Sequence, residues 1–491
     1  MAVSIAVDMG KRLAPVAPEL YGGLIEHLGR NVYGGIYDPS DPTADADGFR
    51  QDVLEAVREL DMPVSRYPGG CFTDTWHWEE GIGERAKRPA RLDFAWKQHE
   101  PNIFGIDEFM QWAEKAGSRP MITLNLSTRG IMEALDLFEY CNVPGGTRYS
   151  ELRRHNGHEE PYNVRYWCLG NEIYGDWEIG HKSAEEYGRL ACETAKMFKR
   201  YDPDLKMILC GNISSPEWNR TVLEMAYEHV DYLSLHEGFN IKAYEPEEFL
   251  RRTDHFAAGI ENAISLCREV KKMKNAPHDV LLSIDEWIVW DSDRRDSPET
   301  RWTVGRPLLE QDFSLLDAAV AGELLSLFHN HADIVRLACV AQTINVIAPI
   351  RTAPGGRLWK QTTYPVFAET SRYGRGEALK LNFSKETLEE LYMSTVWNEA
   401  ESSLFLFVTS RRVGSKVNFE FSLSGIEITG MPEGVTLSCD DCHAVNTETD
   451  SPVKLHDFKN LTLNGSILSG TLEPASWNRI RIPCRLKQNC S

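Results

Sequence analysis

Residues 165–172 read Arg-Tyr-Trp-Cys-Leu-Gly-Asn-Glu, and residues 280–287 read Val-Leu-Leu-Ser-Ile-Asp-Glu-Trp. In both stretches a strand-like apolar run ends at a carboxylate, with Glu172 in the first and Glu286 in the second. A glutamate does not suit the body of a buried parallel strand, but at the C-terminal end of a barrel strand it faces the cavity where active sites lie. The two stretches therefore predict strands that bring two carboxyl groups to one face of the molecule.

Short apolar runs alternate with helical patterns over most of the chain. The candidate strands are Tyr21–Glu26, Pro63–Tyr67, Met121–Leu126, Tyr166–Leu169, Met207–Cys210, Tyr232–Leu235, Leu281–Ile284 and Arg336–Val340, and the candidate helices are Ile106–Ala116, Ala184–Tyr201, Phe256–Lys272 and Asp312–His329. Strands that alternate with helices predict a parallel sheet, and eight such units predict a closed barrel. The fold class is therefore α/β, with a (β/α)8 TIM barrel.

The pattern changes near residue 375, where Tyr373-Gly374-Arg375-Gly376 interrupts the chain. The β-rich runs that follow are Leu388–Val396, Ser403–Thr409, Lys416–Phe421, Val435–Ser438, Leu461–Leu463 and Arg479–Ile482. Turn residues between them predict a C-terminal antiparallel β-sandwich. The strand near residues 2–8 has no barrel partner in sequence order, so we expect it to join the sandwich. The predicted domains are 17–375 for the catalytic barrel and 1–16 plus 376–491 for the sandwich.

Composition narrows the class of protein. The 491 residues are 42% apolar and carry a formal net charge of −20, which disfavours nucleic acid or an anionic membrane as partner. No basic, apolar leader precedes the first strand pattern, and no apolar run reaches the length of a membrane span. The 11 cysteines are odd in number and scattered through apolar runs, as in reduced proteins. We expect a cytoplasmic enzyme.

Two carboxyl groups at one barrel mouth suit the cleavage of a glycosidic bond. A retaining glycosidase places them only about 5 Å apart, so that one attacks the sugar while the other protonates the leaving oxygen and later activates water. The negative charge of the first group helps to raise the pKa of the second. The alternative is a salt-bridged pair at the barrel rim, which two strand-end glutamates, one after Asn and one after Asp, make less favourable.

An ordered set of motifs extends this pattern. It comprises Tyr21-Gly22-Gly23-Leu24-Ile25-Glu26-His27-Leu28-Gly29-Arg30, Arg66-Tyr67-Pro68-Gly69-Gly70, Trp78-Glu79-Glu80-Gly81-Ile82-Gly83, Trp167-Cys168-Leu169-Gly170-Asn171-Glu172, Ile284-Asp285-Glu286-Trp287 and Ala341-Gln342-Thr343-Ile344-Asn345-Val346-Ile347-Ala348-Pro349-Ile350. From about Tyr21 to Gly376 the chain resembles glycoside hydrolase family 51, the α-L-arabinofuranosidases. The resemblance implies the same barrel, with a sandwich that carries the C-terminus and the first strand.

The resemblance also implies roles for individual residues. Glu172 would be the general acid/base and Glu286 the nucleophile, while Asn171 would bind the sugar 2-hydroxyl. Arg66 would keep Glu286 ionised, because a nearby cation lowers a carboxyl pKa. Gln342 would bind furanose hydroxyls, or would instead be a satisfied amide at a strand end.

Four more kinds of sugar contact are expected. Glu26 would bind hydroxyls, its alternative being a structural carboxylate paired with Arg30. His236 would hydrogen-bond near the nucleophile, or be an ordinary loop histidine, and Cys71 would offer a weak thiol donor at a sugar-facing position. Aromatic platforms could come from Trp96, Trp177 and Trp302, each as readily a core residue.

One departure concerns the segment after the sixth strand. Family members often read His-x-Tyr there, whereas this chain has His236-Glu237-Gly238-Phe239, so the sugar pocket either is more open or is filled by another aromatic group. The implied function is a retaining exo-acting α-L-arabinofuranosidase that acts by double displacement on side chains of arabinan or arabinoxylan oligosaccharides. The alternatives are an endo-β-glucanase or xylanase on the same scaffold and a non-catalytic sugar-binding protein. The resemblance also suggests a homo-oligomer, as large as a hexamer.

A competing signal lies in the C-terminal part. Cys439-Asp440-Asp441-Cys442-His443 matches the c-type haem pattern Cys-x-x-Cys-His. It falls in a β-rich region of a chain without an export signal, and a zinc site there lacks a fourth ligand. We expect neither a cofactor nor a metal.

Overall fold

A computed structural model describes residues 2–291 and 297–487. Its strands are β1 (Val3–Asp8), β2 (Arg12–Pro15), β3 (Gly22–Leu24), β4 (Val64–Tyr67), β5 (Arg91–Asp93), β6 (Gln98–Glu100), β7 (Arg119–Thr123), β8 (Tyr166–Leu169), β9 (Lys206–Cys210), β10 (Tyr232–Asn240), β11 (Leu281–Trp290), β12 (Val335–Val340), β13 (Ile350–Thr352), β14 (Leu358–Lys360), β15 (Glu377–Leu379), β16 (Leu391–Asn398), β17 (Ser403–Ser410), β18 (Val417–Ser424), β19 (Ile426–Ile428), β20 (Glu433–Ser438), β21 (Lys454–Asp457), β22 (Thr462–Asn464), β23 (Ile467–Leu472) and β24 (Trp477–Leu486).

The α-helices of the same residues are α1 (Gln51–Leu60), α2 (Ile106–Ala116), α3 (Ile131–Asn142), α4 (Arg148–His155), α5 (Ala184–Tyr201), α6 (Pro216–Ala226), α7 (Pro246–Leu250), α8 (Arg252–Lys274), α9 (Leu315–Asn330), α10 (Thr363–Tyr373) and α11 (Lys385–Glu390). Two of the long ones, α5 and α9, begin at serine N-caps. Ser183 accepts a hydrogen bond from Glu186 N and donates its own N–H to the Glu186 carboxylate, which forms a capping box before α5. No helix of the described residues is both long and apolar enough to cross a membrane.

Eight strands close the barrel in the order β3, β4, β7, β8, β9, β10, β11, β12 and back to β3. Neighbouring strands pair in parallel throughout, as between β7 and β8 or between β12 and β3. The predicted TIM barrel is therefore confirmed. Its lower interior is filled by an apolar layer of Val64, Met121, Tyr166, Cys168, Ile208, Leu337 and Cys339, while the larger apolar core lies between the strands and the helices.

Two sheets form the sandwich. One has the order β1-β18-β23-β22, and the other runs β2-β15-β16-β17-β24-β20-β21 with β19 beside β24. Pairing is antiparallel except between β1 and β18, which are parallel. The alternation of buried and exposed residues along β18 gives its sheet one face for the core and one for solvent. The β-sandwich is thus confirmed, while the domain boundaries at residues 16 and 375 stay a prediction.

The sixth and seventh barrel strands differ from their predicted lengths. The sequence pattern predicts that they end at Leu235 and Ile284, whereas β10 continues to Asn240 and β11 to Trp290. A shift of register between Ser234 and His236 lets the two strands keep pairing beyond the rim, where His236 lies opposite Glu286. Glu286 is therefore inside a strand rather than at its end. In the sandwich, residues 388–390 belong to α11 instead of the strand that follows.

The barrel and the sandwich share buried contacts through α9. Ser314 caps this helix in a capping box with Asp317. The next two backbone N–H groups, of Leu315 and Leu316, donate to the carbonyls of Ala444 and Cys442 in the sandwich. The segment that carries the Cys-x-x-Cys-His pattern therefore satisfies the N-terminal N–H groups of a barrel helix, which would otherwise lack partners.

Candidate active site

The two predicted catalytic glutamates meet at the C-terminal mouth of the barrel. Glu172 follows β8 in a loop and Glu286 lies on β11. One carboxylate oxygen of each, together with a ring nitrogen of His236, forms a group whose atoms all lie within 4.8 Å of one another. Glu172 has a φ of 38°, a left-handed conformation that is uncommon outside glycine and is found at functional sites. A separation this short suits direct attack on a sugar rather than attack through water.

Arg66 on β4 connects the groups at the bottom of this mouth. Its side chain is buried, and one terminal nitrogen donates to Glu286 Oε1 at 2.5 Å while the other donates to Asn171 Oδ1 at 2.8 Å. Its Nε lies 3.2 Å from Asp285 Oδ2. The cation thus fixes both the carboxylate of Glu286 and the amide of Asn171.

His236 on β10 lies between the carboxylates. Its Nδ1 is 2.9 Å from Glu172 Oε1 and 3.9 Å from Glu286 Oε1. On the other side Nε2 is 3.2 Å from Ser234 Oγ and 3.8 Å from Asp285 Oδ2. Burial would lower the pKa of His236, but the charge of Glu286 and hydrogen bonds to Asp285 and Glu172 raise it to about 10. The imidazole is therefore protonated at neutral pH and holds a proton next to Glu172.

Protonation of the two glutamates follows from this cation. Burial raises the pKa of Glu286, helped by the charge of Glu172 and opposed by His236 and Arg66. Burial acts on Glu172 too, but the hydrogen bond and charge of His236 outweigh it and lower the pKa of Glu172. Across the 2.9 Å contact the proton can pass from His236 to Glu172. At rest the proton lies on His236, and the charge of Arg66 opposes the rise in the pKa of Glu286.

A second cluster surrounds Glu26, which follows β3. The buried carboxylate accepts from the Trp96 indole at 2.8 Å, from Gln342 Nε2 at 2.6 Å and from Phe72 N at 3.1 Å. Burial, and next the charge of Glu286, raises its pKa to about 7. Its expected alternative partner, Arg30, instead bonds to Glu310. The structure thus brings together three of the predicted sugar-binding residues.

The remaining predicted residues differ in their placement. Trp177 is 60% exposed and donates its indole N–H to Glu172 Oε2 at 2.9 Å. The thiol of Cys71 lies within 4.8 Å of a carboxylate oxygen of Glu172. Trp302 is 42% exposed and packs edge-on against Phe94, 5.6 Å between ring centroids. Within the described residues, 2–291 and 297–487, Trp302 has no hydrogen bond or ring contact with Glu172 or Glu286.

Sequence reasoning missed several residues of the mouth. Asp285 is buried, and although burial would raise its pKa, Arg66, His236 and Ser234 hold it well below the usual range. Its place next to Glu286 was visible in the sequence, but its partners on β4 and β10 were not. Trp290 supplies the aromatic group near Gly238, since a Cβ on that glycine would lie 3.2 Å from the indole Nε1. Only the extension of β10 and β11 reveals that neighbour.

Two groups of side chains have spacing that could suit a metal ion in the described part of the chain. One is Glu172, His236 and Glu286, and the other is Cys71, Glu172 and Glu178. In the first group the atoms that would bind a metal already bond to one another, His236 to Glu172 at 2.9 Å, and Glu286 bonds to Arg66. These contacts are of the kind that proton transfer and nucleophilic attack by carboxyl groups require.

Two family models match the chain. Residues 56–256 match the family described as "Alpha-L-arabinofuranosidase 1 domain", and residues 285–476 match "Alpha-L-arabinofuranosidase C-terminal domain". The second match begins at Asp285, inside β11, so it includes the last part of the barrel as well as most of the sandwich.

Relatives match over nearly the full length. An intracellular exo-α-(1→5)-L-arabinofuranosidase of Acetivibrio thermocellus is 38% identical over 496 residues, which cover 97% of this chain and 99% of the relative. The intracellular exo-α-(1→5)-L-arabinofuranosidase 1 of Bacillus subtilis is 40% identical over 493 residues, with 97% and 98% covered.

Solved structures give the same picture. A family 51 α-L-arabinofuranosidase from Bifidobacterium longum superposes with a TM-score of 0.91 at 35% identity, covering 98% of this chain and 99% of that one. An arabinose complex of an α-L-arabinofuranosidase from Thermotoga maritima gives a TM-score of 0.86 at 33% identity, with 97% and 99% covered.

Proposed function

The chain belongs to the α-L-arabinofuranosidases of glycoside hydrolase family 51, and from that premise we propose how its barrel mouth works. The enzyme is an exo-acting α-L-arabinofuranosidase that cleaves by double displacement with retention. Glu286 is the nucleophile and Glu172 the general acid/base. The carboxylate oxygens of the two, within 4.8 Å of each other, are the observation that carries this assignment.

In the first step the carboxylate of Glu286 attacks the anomeric carbon. Glu172, after taking the proton from His236, protonates the glycosidic oxygen as its bond to that carbon breaks. The hydrogen bond between Arg66 and Glu286 Oε1, at 2.5 Å, favours the ionised nucleophile. The products of this step are a glycosyl ester on Glu286 and the free leaving alcohol.

In the second step water replaces the leaving alcohol. Glu172, now ionised, removes a proton from the water, whose oxygen attacks the anomeric carbon and releases Glu286. The proton that Glu172 takes from the water can return to His236 across the 2.9 Å contact. His236 is neutral at this stage, so it can accept that proton, and the two steps together retain the anomeric configuration.

The other predicted residues bind the sugar in this proposal. Asn171 donates to the 2-hydroxyl, while Glu26 and Gln342 bind the more distant hydroxyls from the cluster that also contains Trp96. Cys71 lines the same pocket as a weak donor. Trp177 covers Glu172 and offers an exposed ring face to the sugar or to the leaving group. Trp302 is proposed only as an outer platform.

The substrate class is arabinofuranosyl groups on short oligosaccharides, from arabinan or arabinoxylan. The relatives named for exo-arabinofuranosidase activity support exo action and do not favour the endo-β-glucanase or xylanase alternative. A bifunctional glucanase–xylanase matches at only 12% identity, which is a likeness of fold. A cytoplasmic location, supported by the word intracellular in the relatives' names, agrees with oligosaccharides rather than whole polymer as substrate.

Turnover of 4-nitrophenyl α-L-arabinofuranoside tests the activity, with NMR of the first-formed sugar to establish its configuration. We expect release of 4-nitrophenol and initial α-arabinofuranose. No release, or initial β-sugar, would contradict the proposal. An oligomer is proposed as well, on the family resemblance, and light scattering of the purified protein measures its mass.

Variants with added azide distinguish the two carboxyl groups. Glu286→Ala should lose turnover and, with azide, give the β-arabinofuranosyl azide, because azide attacks from the side where the carboxylate stood. Glu172→Ala should lose about 10²–10⁴-fold in rate on substrates with poor leaving groups and give the α-azide. Exchanged products would reverse the roles of the two glutamates.

A further inference from the structure

A third glutamate lies against the proposed sugar-binding amide. Glu178 follows Glu172 in the loop after β8 and is only 3% exposed. Its Oε1 accepts a hydrogen bond from Asn171 Nδ2 at 3.2 Å. One of its oxygens lies within 4.8 Å of a carboxylate oxygen of Glu172 and of the Cys71 thiol. A carboxyl group in this place affects both the acid/base and the residue that would bind the 2-hydroxyl.

Asp74, in the segment after β4, contacts the backbone of Ile179, the residue that follows Glu178. Its Oδ1 accepts from Ser127 Oγ at 2.5 Å and its Oδ2 accepts from Ile179 N at 2.7 Å. Burial raises the pKa of Asp74, while the hydrogen bonds that both of its oxygens receive from fixed donors oppose that rise. These bonds also connect the loops after β4, β7 and β8, the last of which carries Glu172.

Glu178 has one oxygen left to satisfy. Its Oε2 is buried and has no donor within reach among the residues that the structure describes. The nearby carboxyl group that could share a proton with it is that of Asp74, whose Oδ2 accepts from the N–H of Ile179, the residue after Glu178. Two ionised carboxylates in contact would repel each other in a buried place, whereas one proton between them makes a hydrogen bond and satisfies Oε2. Burial, and then Asp74, raises the pKa of Glu178 to about 11.

We propose that Glu178 is a positioning residue which, as a neutral carboxylic acid, donates its proton to Asp74 and accepts from Asn171, and so sets the orientation of the Asn171 amide for the sugar 2-hydroxyl. The inference rests on the proposed function, in which Asn171 contacts that hydroxyl. Glu178 itself need not touch the substrate.

The contacts of Asn171 show why orientation matters. An amide has an oxygen that only accepts and a nitrogen that donates two hydrogens. Here Arg66 donates to Oδ1 at 2.8 Å, and Glu178 accepts one hydrogen of Nδ2 at 3.2 Å. A flipped amide would face the guanidinium with its own N–H groups. The two partners therefore leave one N–H of known direction, which can donate to a hydroxyl or to the neighbouring nucleophile.

Neutrality of Glu178 has a second effect. Its carboxyl lies within 4.8 Å of Glu172, and an added negative charge there would disfavour the ionised form of Glu172 that the second step needs. The same neutral-acid arrangement, a buried carboxylic acid that donates a hydrogen bond at neutral pH, is a general means of placing a strong donor without a charge.

Glutamine and alanine substitutions separate this role from others. The amide of Glu178→Gln has an N–H to donate to Asp74 and an oxygen to accept from Asn171, so it reproduces the neutral acid. Glu178→Ala removes both contacts. Asp176→Ala is a matched control, because it deletes an exposed carboxyl from the same loop.

The experiment compares kcat/KM on 4-nitrophenyl α-L-arabinofuranoside and on its 2-deoxy analogue. Glu178→Ala should lose about 100-fold on the parent substrate but less than about fivefold on the 2-deoxy analogue, in which the hydroxyl for Asn171 is missing. Glu178→Gln should recover to within about fivefold of the wild type on both substrates, and Asp176→Ala should match the wild type.

Two results would overturn the proposal: a glutamine variant as impaired as the alanine variant, which would mean that a charge is needed, or equal losses on both substrates. Infrared spectroscopy supplies a readout that does not depend on the alanine variant folding. The wild type minus Glu178→Gln difference at neutral pH should show a carboxylic acid C=O band, and carboxylate bands in its place would also refute the inference. If the wild type fails to cleave either glycoside, the proposed function is wrong while this infrared result still stands.

Discussion

The charge of protonated His236 affects the pKa of both proposed catalytic glutamates. Nδ1 of His236 lies 2.9 Å from Glu172, and the other carboxylates near its ring are Glu286 and Asp285, both of which Arg66 contacts. Three carboxylates against one guanidinium leave an excess of negative charge, which a protonated imidazole reduces. In the proposed mechanism, the proton for the first step is therefore held next to Glu172, on His236.

Replacing His236 should change the pH dependence. Because the pKa of His236 is raised to about 10, the His236–Glu172 pair keeps its proton below that pH and loses it as the pH rises through it. In His236→Asn the only proton is that of Glu172, so the alkaline limb of kcat/KM should move down by more than about one pH unit. His255→Asn, at an exposed histidine of α8, is the control. An unchanged alkaline limb would rule out this proton store.

Helix α9 packs closely on strand β24 through a glycine. An added Cβ at Gly322 would lie 2.2 Å from Cδ1 of Trp477, and both residues are buried. The absence of a side chain at position 322 is what lets the helix approach the sandwich so closely. The gain in helix propensity of alanine over glycine is smaller than the cost of forcing this contact apart.

The substitution Gly322→Ala should lower the free energy of unfolding by about 1–3 kcal/mol, as measured by urea denaturation. Gly414→Ala is the control, since a Cβ there meets nothing within 4 Å, and it should leave the midpoint nearly unchanged. A Gly322→Ala protein as stable as the wild type would show that α9 and β24 can separate without loss.

The segment 439–446 acts as an element that caps α9 through its backbone. The acceptors are the carbonyls of Cys442 and Ala444, so the thiols of Cys439 and Cys442 are not needed for the cap. We expect Cys439→Ser/Cys442→Ser to change the free energy of unfolding by less than about 1 kcal/mol and to keep full activity. Purified wild-type protein should show no Soret band and no stoichiometric zinc by elemental analysis. Either signal would restore the haem or zinc interpretation of this pattern.

At the scale of the whole molecule, a buried ion cluster connects the barrel to the sandwich. Arg411, after β17, donates to Glu323 on α9 at 2.7 Å and to Asp254 on α8 at 2.8 Å, and it contacts Thr253 as well. Arg411 and Glu323 are both fully buried. Burial raises the pKa of Glu323, against the pull of Arg411, so this carboxylate depends on its partner from the other part of the chain.

Removal of that partner should destabilise the entire protein. Arg411→Met leaves Glu323 buried without its cation, so it should lower the free energy of unfolding by about 3–5 kcal/mol. Thermal and urea unfolding measure this loss. The double variant Arg411→Met/Glu323→Leu should regain most of the loss, because an apolar pair needs no charge compensation. A single variant as stable as the wild type, or a double variant no better than the single, would contradict this account.

The sequence by itself determined the periodic features of this protein. Short apolar runs between amphipathic helices predicted the eight barrel strands, and α2, α5 and β8 have the predicted bounds, because burial of one face imposes a period on the chain. The same logic placed Glu172 and Glu286 at one mouth. Both follow apolar runs, and parallel barrel strands all end on the same face.

Only the tertiary structure decided how distant residues meet. The continuation of β10 and β11 past the rim depends on a shift of register between the two strands, which no local pattern encodes. The same holds for the contacts of Glu178 with Asn171, of Arg411 with Glu323 and of Trp290 with Gly238. These pairs form when the barrel closes and the sandwich docks, so their energies depend on long-range packing, which periodicity does not reveal.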